Sequence, residues 1–237
     1  MRGILITFEG IDGSGKSTAV AELARRIAEE ERPPFAGRRF LFTAEPTEGE
    51  EGRLIREKLK RYSRTAEGQG SRAIEAEQLE ELFLFMADHA RHLAETVIPA
   101  LERGMVVVSD RYSDSRVAYQ GATLRGVIPR PLEWVRELHR PWSVVPDKTI
   151  LFSIDPALAI ERCQSRAGEA GPSQISKAPE KFEREELLRE VAENFERMAR
   201  REPERFVVIG AACGKADILE ETMRALAELL SETKSTV

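Results

Sequence analysis

The sequence predicts an α/β fold of three layers, a five-stranded parallel sheet with helices on both faces. Three observations carry that prediction. Short apolar runs of strand type alternate with segments of helical periodicity from one end of the chain to the other, as crossover connections in a parallel sheet require. The run Met105 to Ser109 (MVVVS) is β-branched and does not alternate, the pattern of a central strand covered on both sides. The stretch Gly10 to Thr18, GIDGSGKST, lies directly between the apolar run Ile4 to Phe8 and an alanine- and leucine-rich segment, a strand, turn and helix context in which such a loop binds phosphate.

That loop fits GxxxxGK(S/T) with Gly10, Gly15, Lys16 and Ser17. Its glycines, Gly13 among them, let the backbone curl until successive N–H groups face inward. The helix beginning near Ser17 and Thr18 adds its positive dipole end. Lys16 is placed to reach the outer phosphates of a nucleoside triphosphate and the Ser17 hydroxyl to hold Mg²⁺, with Asp12 and Ser14 filling the variable positions. A bare glycine turn needs no Lys-Ser after its last glycine.

The remaining elements follow in order. Ala19, Leu23 and Ile27 repeat at helical spacing until Pro33-Pro34 ends the helix. Arg39 to Thr43 (RFLFT) is a second strand, and the acidic loop Ala44 to Gly52 leaves its carboxyl end, where open parallel sheets bind ligands. Glu45, next to the strand, is the stronger candidate there; Glu48, Glu50 and Glu51 read equally well as a solvated turn. Leu54 to Leu59 reads as a short helix, Ser63 to Gly70 as a loop, and Ala73 to Val97 as a long helix ended at Pro99. On that helix Leu79, Phe83, Met86, Ala90, Leu93 and Val97 make one apolar stripe, the expected buried face. Leu82, Phe85, His89 and His92 form a second line, either packing residues or a pocket wall, and periodicity alone favours packing.

The third strand, Met105 to Ser109, ends in Asp110-Arg111-Tyr112. An acidic residue at the carboxyl end of a central strand beside a phosphate loop is expected to help organise Mg²⁺, and Arg111 can clamp a phosphate bidentately. Helices follow at Ser115 to Gln120 and Pro131 to Leu138. Thr149 to Ile154 is the fourth strand, closed by the helix-start signal Asp155-Pro156. Gln164 to Lys181 is poor in large apolar residues and rich in Gly, Ser and Pro, a composition for a mobile segment. A helix over Phe182 to Arg200, a last strand at Phe206 to Ile209 and a helix over Ile218 to Leu230 complete the chain.

At 237 residues with 41% hydrophobic content the chain suits one domain, residues 1 to 237. Acidic residues outnumber basic ones, 41 to 36, so no uniform positive field exists to track a nucleic-acid polymer. Two cysteines without a CxxC pattern argue against a zinc site or a disulfide framework and suit a reducing compartment, and no apolar run approaches a membrane span. Location in the cytoplasm is expected.

A bound triphosphate can be hydrolysed, as in a switch or motor, or passed to a second substrate. The latter use requires an acceptor pocket and a closing lid. The chain offers both: the 44 to 52 loop, the Phe85/His89 face and the 110 to 121 segment for the pocket, and Arg162, Arg166, Lys177 and Lys181 on the segment at 162 to 181 for the lid.

FEGIDGSGKST (Phe8 to Thr18), Glu45-Pro46 after strand two, F-x-A-D at Phe85 to Asp88, DRYxxSxxAYQG at Asp110 to Gly121, Pro146-Asp147 before strand four and DPxxAxxR at Asp155 to Arg162 occur in one order over residues 4 to 200. Together they resemble thymidylate kinase, and the wording is most similar to archaeal members. The resemblance implies a P-loop kinase fold with its phosphate loop at 10 to 18, its acceptor-binding region at about 44 to 121 and a mobile lid at about 162 to 181. It implies transfer of the γ-phosphate of ATP to dTMP with Mg²⁺, giving dTDP and ADP for dTTP synthesis, and a homodimer through the helix at 73 to 97.

By the same resemblance Asp12 holds the acceptor's 3′-hydroxyl, Phe85 stacks on thymine and Arg111 clamps the acceptor phosphate. Asp110 joins Ser17 at Mg²⁺, and Ser115, Tyr119 and Gln120 line the pocket with Glu45. His89 stands where the family usually has an arginine against the thymine carbonyl. Ala44 stands where many members have one before Glu-Pro, which shifts the expected acceptor-phosphate contact towards Arg53 or Arg56. Gly13-Ser14 lacks the arginine that one branch of the family places in the loop. The transition-state cation is therefore expected from the lid, Arg166 first and Arg162 second, and joins Lys16, Asp12 and Arg111 as the catalytic set. A kinase for another deoxynucleotide or nucleoside and a non-catalytic nucleotide-binding module are the alternatives.

Overall fold

β1 (Ile4–Glu9) is buried along its whole length and forms the middle of the sheet. The computed structural model describes residues 2–65, 71–169 and 185–232, together with their side chains except those of 60–65, 71 and 166–169. All five expected apolar runs become strands: β1, β2 (Phe40–Ala44), β3 (Val106–Asp110), β4 (Lys148–Ser153) and β5 (Phe206–Gly210). Their order is β2-β3-β1-β4-β5 and every pairing is parallel. Register pairs Asp110 with both Phe8 and Ala44, so the segments that leave β1, β2 and β3 start side by side.

The helices are α1 (Lys16–Ala28), α2 (Glu50–Thr65), α3 (Ser71–His92), α4 (Ile98–Glu102), α5 (Ser113–Thr123), α6 (Pro131–His139), α7 (Pro156–Glu169), α8 (Glu185–Arg201) and α9 (Lys215–Glu232). Because side chains alternate across a strand, β1 feeds two cores. Ile4, Ile6 and Phe8 pack in the larger one with Leu23, Val117, Val191 and Leu226. Leu5 turns the other way, to Val107, Leu93, Val97, Leu101 and Tyr112. Helices therefore cover both faces of the sheet.

Three local expectations change. The acidic turn is partly a helix start: α2 begins at Glu50, and Glu50 and Glu51 complement the positive dipole of its first turn. The long helix does not stop at Pro99 but passes through a π-helical turn, Leu93–Val97, into α4, whose first turn holds the proline where its missing N–H costs no intrahelical bond.

The third change concerns the buried face of α3. Leu93 and Val97 are buried as expected, but Phe83 is 54% exposed and Ala90 is exposed, whereas Leu82, Asp88, His89 and His92 are buried. A stripe read straight across 79 to 97 crosses the π turn. Its extra residue rotates the buried face by about 100° relative to an unbroken α-helix, so the two halves of the stripe point differently. Beyond β4, α7 extends the chain helically to Glu169, within the expected mobile segment; positions 170 to 181 lie outside the described residues.

Candidate active site

Between β1 and α1 the chain curls into a loop that closes around the Lys16 ammonium. Gly15 caps α1 in the left-handed region (φ +92°), without a side-chain cap bond, and the first turn holds no acidic residue. The N–H groups of that turn are thus left for an anion. Gly13 (φ +83°) has no substitute, since a Cβ there would lie 2.1 Å from the Ala159 carbonyl oxygen. Lys16 is buried inside the loop, where its Nζ donates to Ile11 O (2.9 Å) and Ser14 Oγ (3.4 Å). Burial and the neighbouring Arg111 charge push its pKa down to about 8, against the opposing pull of Asp12 and Asp110. Ser17 and Thr18 are exposed at the helix start.

β3 brings Asp110 and Arg111 to this loop. Asp110 Oδ1 is buried without a hydrogen-bond partner, the state of a carboxylate oxygen that awaits a cation or its water. With the Ser17 hydroxyl it fits the magnesium role. Among the described residues no group of three His, Cys, Asp or Glu could hold a metal ion unaided, so an ion here would share its coordination with phosphate oxygens and water.

Arg111 adopts φ +68°, costly for a non-glycine residue and characteristic of functional sites. Its backbone is held on both sides, N–H to Phe8 O (3.0 Å) and C=O from Ser109 Oγ (2.7 Å). The guanidinium donates to Asp12 Oδ1 (2.5 Å), Gly10 O (3.2 Å), Ser115 Oγ (3.0 Å) and Tyr119 Oη (3.3 Å) and lies 5.0 Å from the Tyr119 ring centroid. Tyr119 in turn accepts from Asp12 N–H (3.1 Å) and donates to Asp12 Oδ2 (3.3 Å). Burial alone would raise the Asp12 pKa; the Arg111 and Lys16 charges outweigh it and hold the group ionised below its usual range. Asp12, Lys16, Asp110, Arg111, Ser115 and Tyr119 therefore form one constellation.

Glu45 and His89, expected among the substrate-binding residues, are buried in a second network. Glu45 is 5% exposed and its carboxylate accepts from His89 Nδ1 (2.7 Å), His92 Nδ1 (2.7 Å) and Arg116 Nη1. His89 is 0% exposed, and its second nitrogen, Nε2, accepts from Ser143 Oγ (2.9 Å), so neither ring nitrogen is left for a base. His92 Nε2 meets Thr43 Oγ1 (2.7 Å), and Arg116 Nε donates to His139 Nε2 (2.8 Å). Burial and the Arg116 charge push His89 down to about 4 and His139 to about 3. Burial opposes ionisation of Glu45, but Arg116 and His89 hold it well below the carboxylate range. This network abuts the first through the backbone, Glu45 N–H to Asp110 O at 3.0 Å.

Phe85 and Gln120 lie where α3 faces α5: Phe85 is half-buried against the main core, and buried Gln120 donates from Nε2 to Glu81 at 3.5 Å. Arg56 braces the loop after β2, bonding Pro46 O (3.0 Å) and Glu48 (3.0 Å). Arg162, the second lid candidate, donates to the carbonyls of Ala211 (2.7 Å) and Ala212 (3.4 Å) after β5. Arg166 sits in α7, but its side chain, with Lys177 and Lys181, lies outside the described residues.

The family model described as thymidylate kinase matches residues 8–222. The chain belongs to the thymidylate kinase family. Its relatives include proteins named probable thymidylate kinase from three archaea. The Methanosarcina barkeri protein is 44% identical over 98% of this chain and 99% of its own length. Methanosarcina mazei gives 45% over 97% and 98%, and Natronomonas pharaonis 43% over 96% and 100%.

For this member of the thymidylate kinase family, sequence reasoning missed four residues that shape the site. Asp88 pins the loop after β2, accepting from Thr47 N–H (3.0 Å) and Thr47 Oγ1 (2.5 Å). Arg116 neutralises Glu45, and Asp114 accepts both terminal nitrogens of Arg205 (2.6 and 3.1 Å). Glu9, inside the FEG run, is fully buried. The signal available for all four was a charged residue within an apolar run or on a packed helix face, which demands a partner.

Proposed function

We propose that this chain transfers the γ-phosphate of ATP to dTMP, yielding dTDP and ADP. The observation that carries the reading is the Arg111 guanidinium, a planar cation fixed by four protein acceptors beside the lysine of the phosphate loop. A cation so placed suits an acceptor phosphate brought alongside the donor. Lys16 and the first turn of α1 take the triphosphate, Asp12 aligns Arg111 and offers an oxygen to the acceptor's 3′-hydroxyl, and Phe85 and Gln120 face the base. Ser17 and Asp110 would hold Mg²⁺, whose chemistry is to neutralise charge on the phosphate oxygens. Because phosphoryl transfer needs little covalent chemistry from the protein, these groups work by positioning and electrostatics.

ADP release measured with dTMP, dUMP, dGMP, dCMP and no acceptor tests the reading. Preference for dTMP supports it, preference for another acceptor reassigns the substrate, and absence of acceptor-dependent turnover refutes it. Arg166 is proposed as the lid cation of the transition state. Arg166→Ala should lower kcat by about 10³-fold or more with little change in dTMP affinity, and a variant with normal kcat refutes that role.

A homodimer is proposed through α3, whose Phe83, Ala87 and Ala90 and the following Ala94 face solvent in the single chain. Among the described residues no helix is long and apolar enough to cross a membrane. The cytoplasm is the proposed location, on the sparing use of cysteine in the sequence, two residues without a CxxC pattern.

A further inference from the structure

Glu9 ends β1, and the phosphate loop begins at the next residue. Its carboxylate is fully buried and accepts three hydrogen bonds: Tyr112 N–H (2.9 Å) and Ser115 N–H (3.3 Å) on Oε1, and Ser115 Oγ–H (2.5 Å) on Oε2. The two N–H groups belong to the cap and third positions of α5. The helix cannot provide this cap itself, because Tyr112 stands at the position where Ser, Thr, Asp or Asn would serve and makes no side-chain cap bond. The cap is delivered from β1 instead. Burial, with the charge of Asp114 adding, pushes the Glu9 pKa up to about 8, while Ser115, Arg111 and Lys16 pull it down. A carboxylate kept there against its desolvation has partners that define its position.

The consequence reaches Arg111. Ser115 Oγ donates its only proton to Glu9 and so presents a lone pair to Arg111 Nη1 at 3.0 Å. With Glu9 ionised the donors run in one direction, from guanidinium to hydroxyl to carboxylate, and the carboxylate fixes that direction. Gln at position 9 would keep the size but put an amide N–H₂ against one set of donors, turning the Ser115 hydroxyl away from its present orientation.

We propose that Glu9 is a positioning residue for the acceptor side of the reaction. By capping α5 and polarising Ser115 it sets the Arg111 guanidinium relative to Asp12, so the residue that leads into the donor loop also aligns the acceptor clamp. This rests on the proposed role of Arg111 in holding the acceptor phosphate.

The test is a double-mutant cycle in the full-length chain, assayed above pH 8 where Glu9 is ionised, with Glu9→Gln, Ser115→Ala and the pair, measuring kcat, KM for ATP, KM for the acceptor and Tm. Wild-type turnover of dTMP is established first, so that failure of the functional reading is seen separately. Each single variant should raise the acceptor KM about tenfold while the ATP KM stays within about twofold, and the pair should be no worse than the poorer single. An unchanged acceptor KM in either variant overturns the proposal. So do equal losses towards both substrates, the mark of a merely structural cap, and additive losses in the pair. If Glu9→Gln does not fold, Glu9→Asp, which keeps the charge but draws the carboxylate back by one methylene from Ser115, decides by the same acceptor-against-donor split.

Discussion

At the residue scale, the molecule separates charges that must stay fixed from charges that must meet a ligand. Arg116 belongs to the first kind, at 3% exposure with its guanidinium on Glu45 and His139. Removing one partner of a buried pair leaves the other charged and dry, so Arg116→Met should cost about 3–5 kcal/mol and lower Tm by on the order of 10 °C in thermal denaturation. Lys16, Asp110 and Arg111 are proposed for the second kind, and their gathering at one place was legible because the phosphate-loop spacing and the strand-end acidic residue have a mechanism behind them. The burial of His89 and Glu45 was not legible, for an equally physical reason. A strand-end position says that a side chain can reach the crevice, and only the partners in space say whether it turns inward, as both do here.

At the element scale, the strands were readable throughout, since apolar runs of β-branched residues admit few other placements. α3 was readable in extent but not in face. Both of its stripes satisfy helical periodicity, and the choice was made by the π turn and by buried polar partners that no periodicity reveals: Thr47 for Asp88, Glu45 for the two histidines. The apolar stripe left outside carries its own prediction. Phe83→Glu should shift the chain from dimer to monomer in sedimentation or light scattering at micromolar concentration, with Tm changed little in the monomer, because Phe83 is 54% exposed in the single chain. A dimer that survives the substitution would place the interface elsewhere.

At the scale of the whole molecule, the buried titratable groups set the response to acid. His89 and His139 have pKa values lowered from about 6.5 to about 4 and about 3, so below pH 6.5 the unfolded chain takes up two protons that the folded chain refuses. Glu9, raised to about 8, works the other way, because the folded chain already holds one proton that the unfolded chain binds only near pH 4.5. Two against one leaves a net uptake of about one proton on unfolding, to which Glu45 and Asp12, held below their usual ranges in the fold, add towards the acid end, and stability should fall by about 1.4 kcal/mol per pH unit from about pH 6 to 4.5, more steeply at the lower end. Denaturant melts across that range check the slope, which His139→Gln should flatten, since a glutamine can still accept from Arg116 and donate to Val135 without titrating. The same burial has a consequence for chemical probing. The chain contains three histidines, and at 0, 3 and 4% exposure none presents an imidazole to solvent. Acylation by diethyl pyrocarbonate, followed by mass spectrometry, thus becomes a clock for how often the interior opens, and any nucleotide that tightens the fold should slow that clock in proportion to its binding.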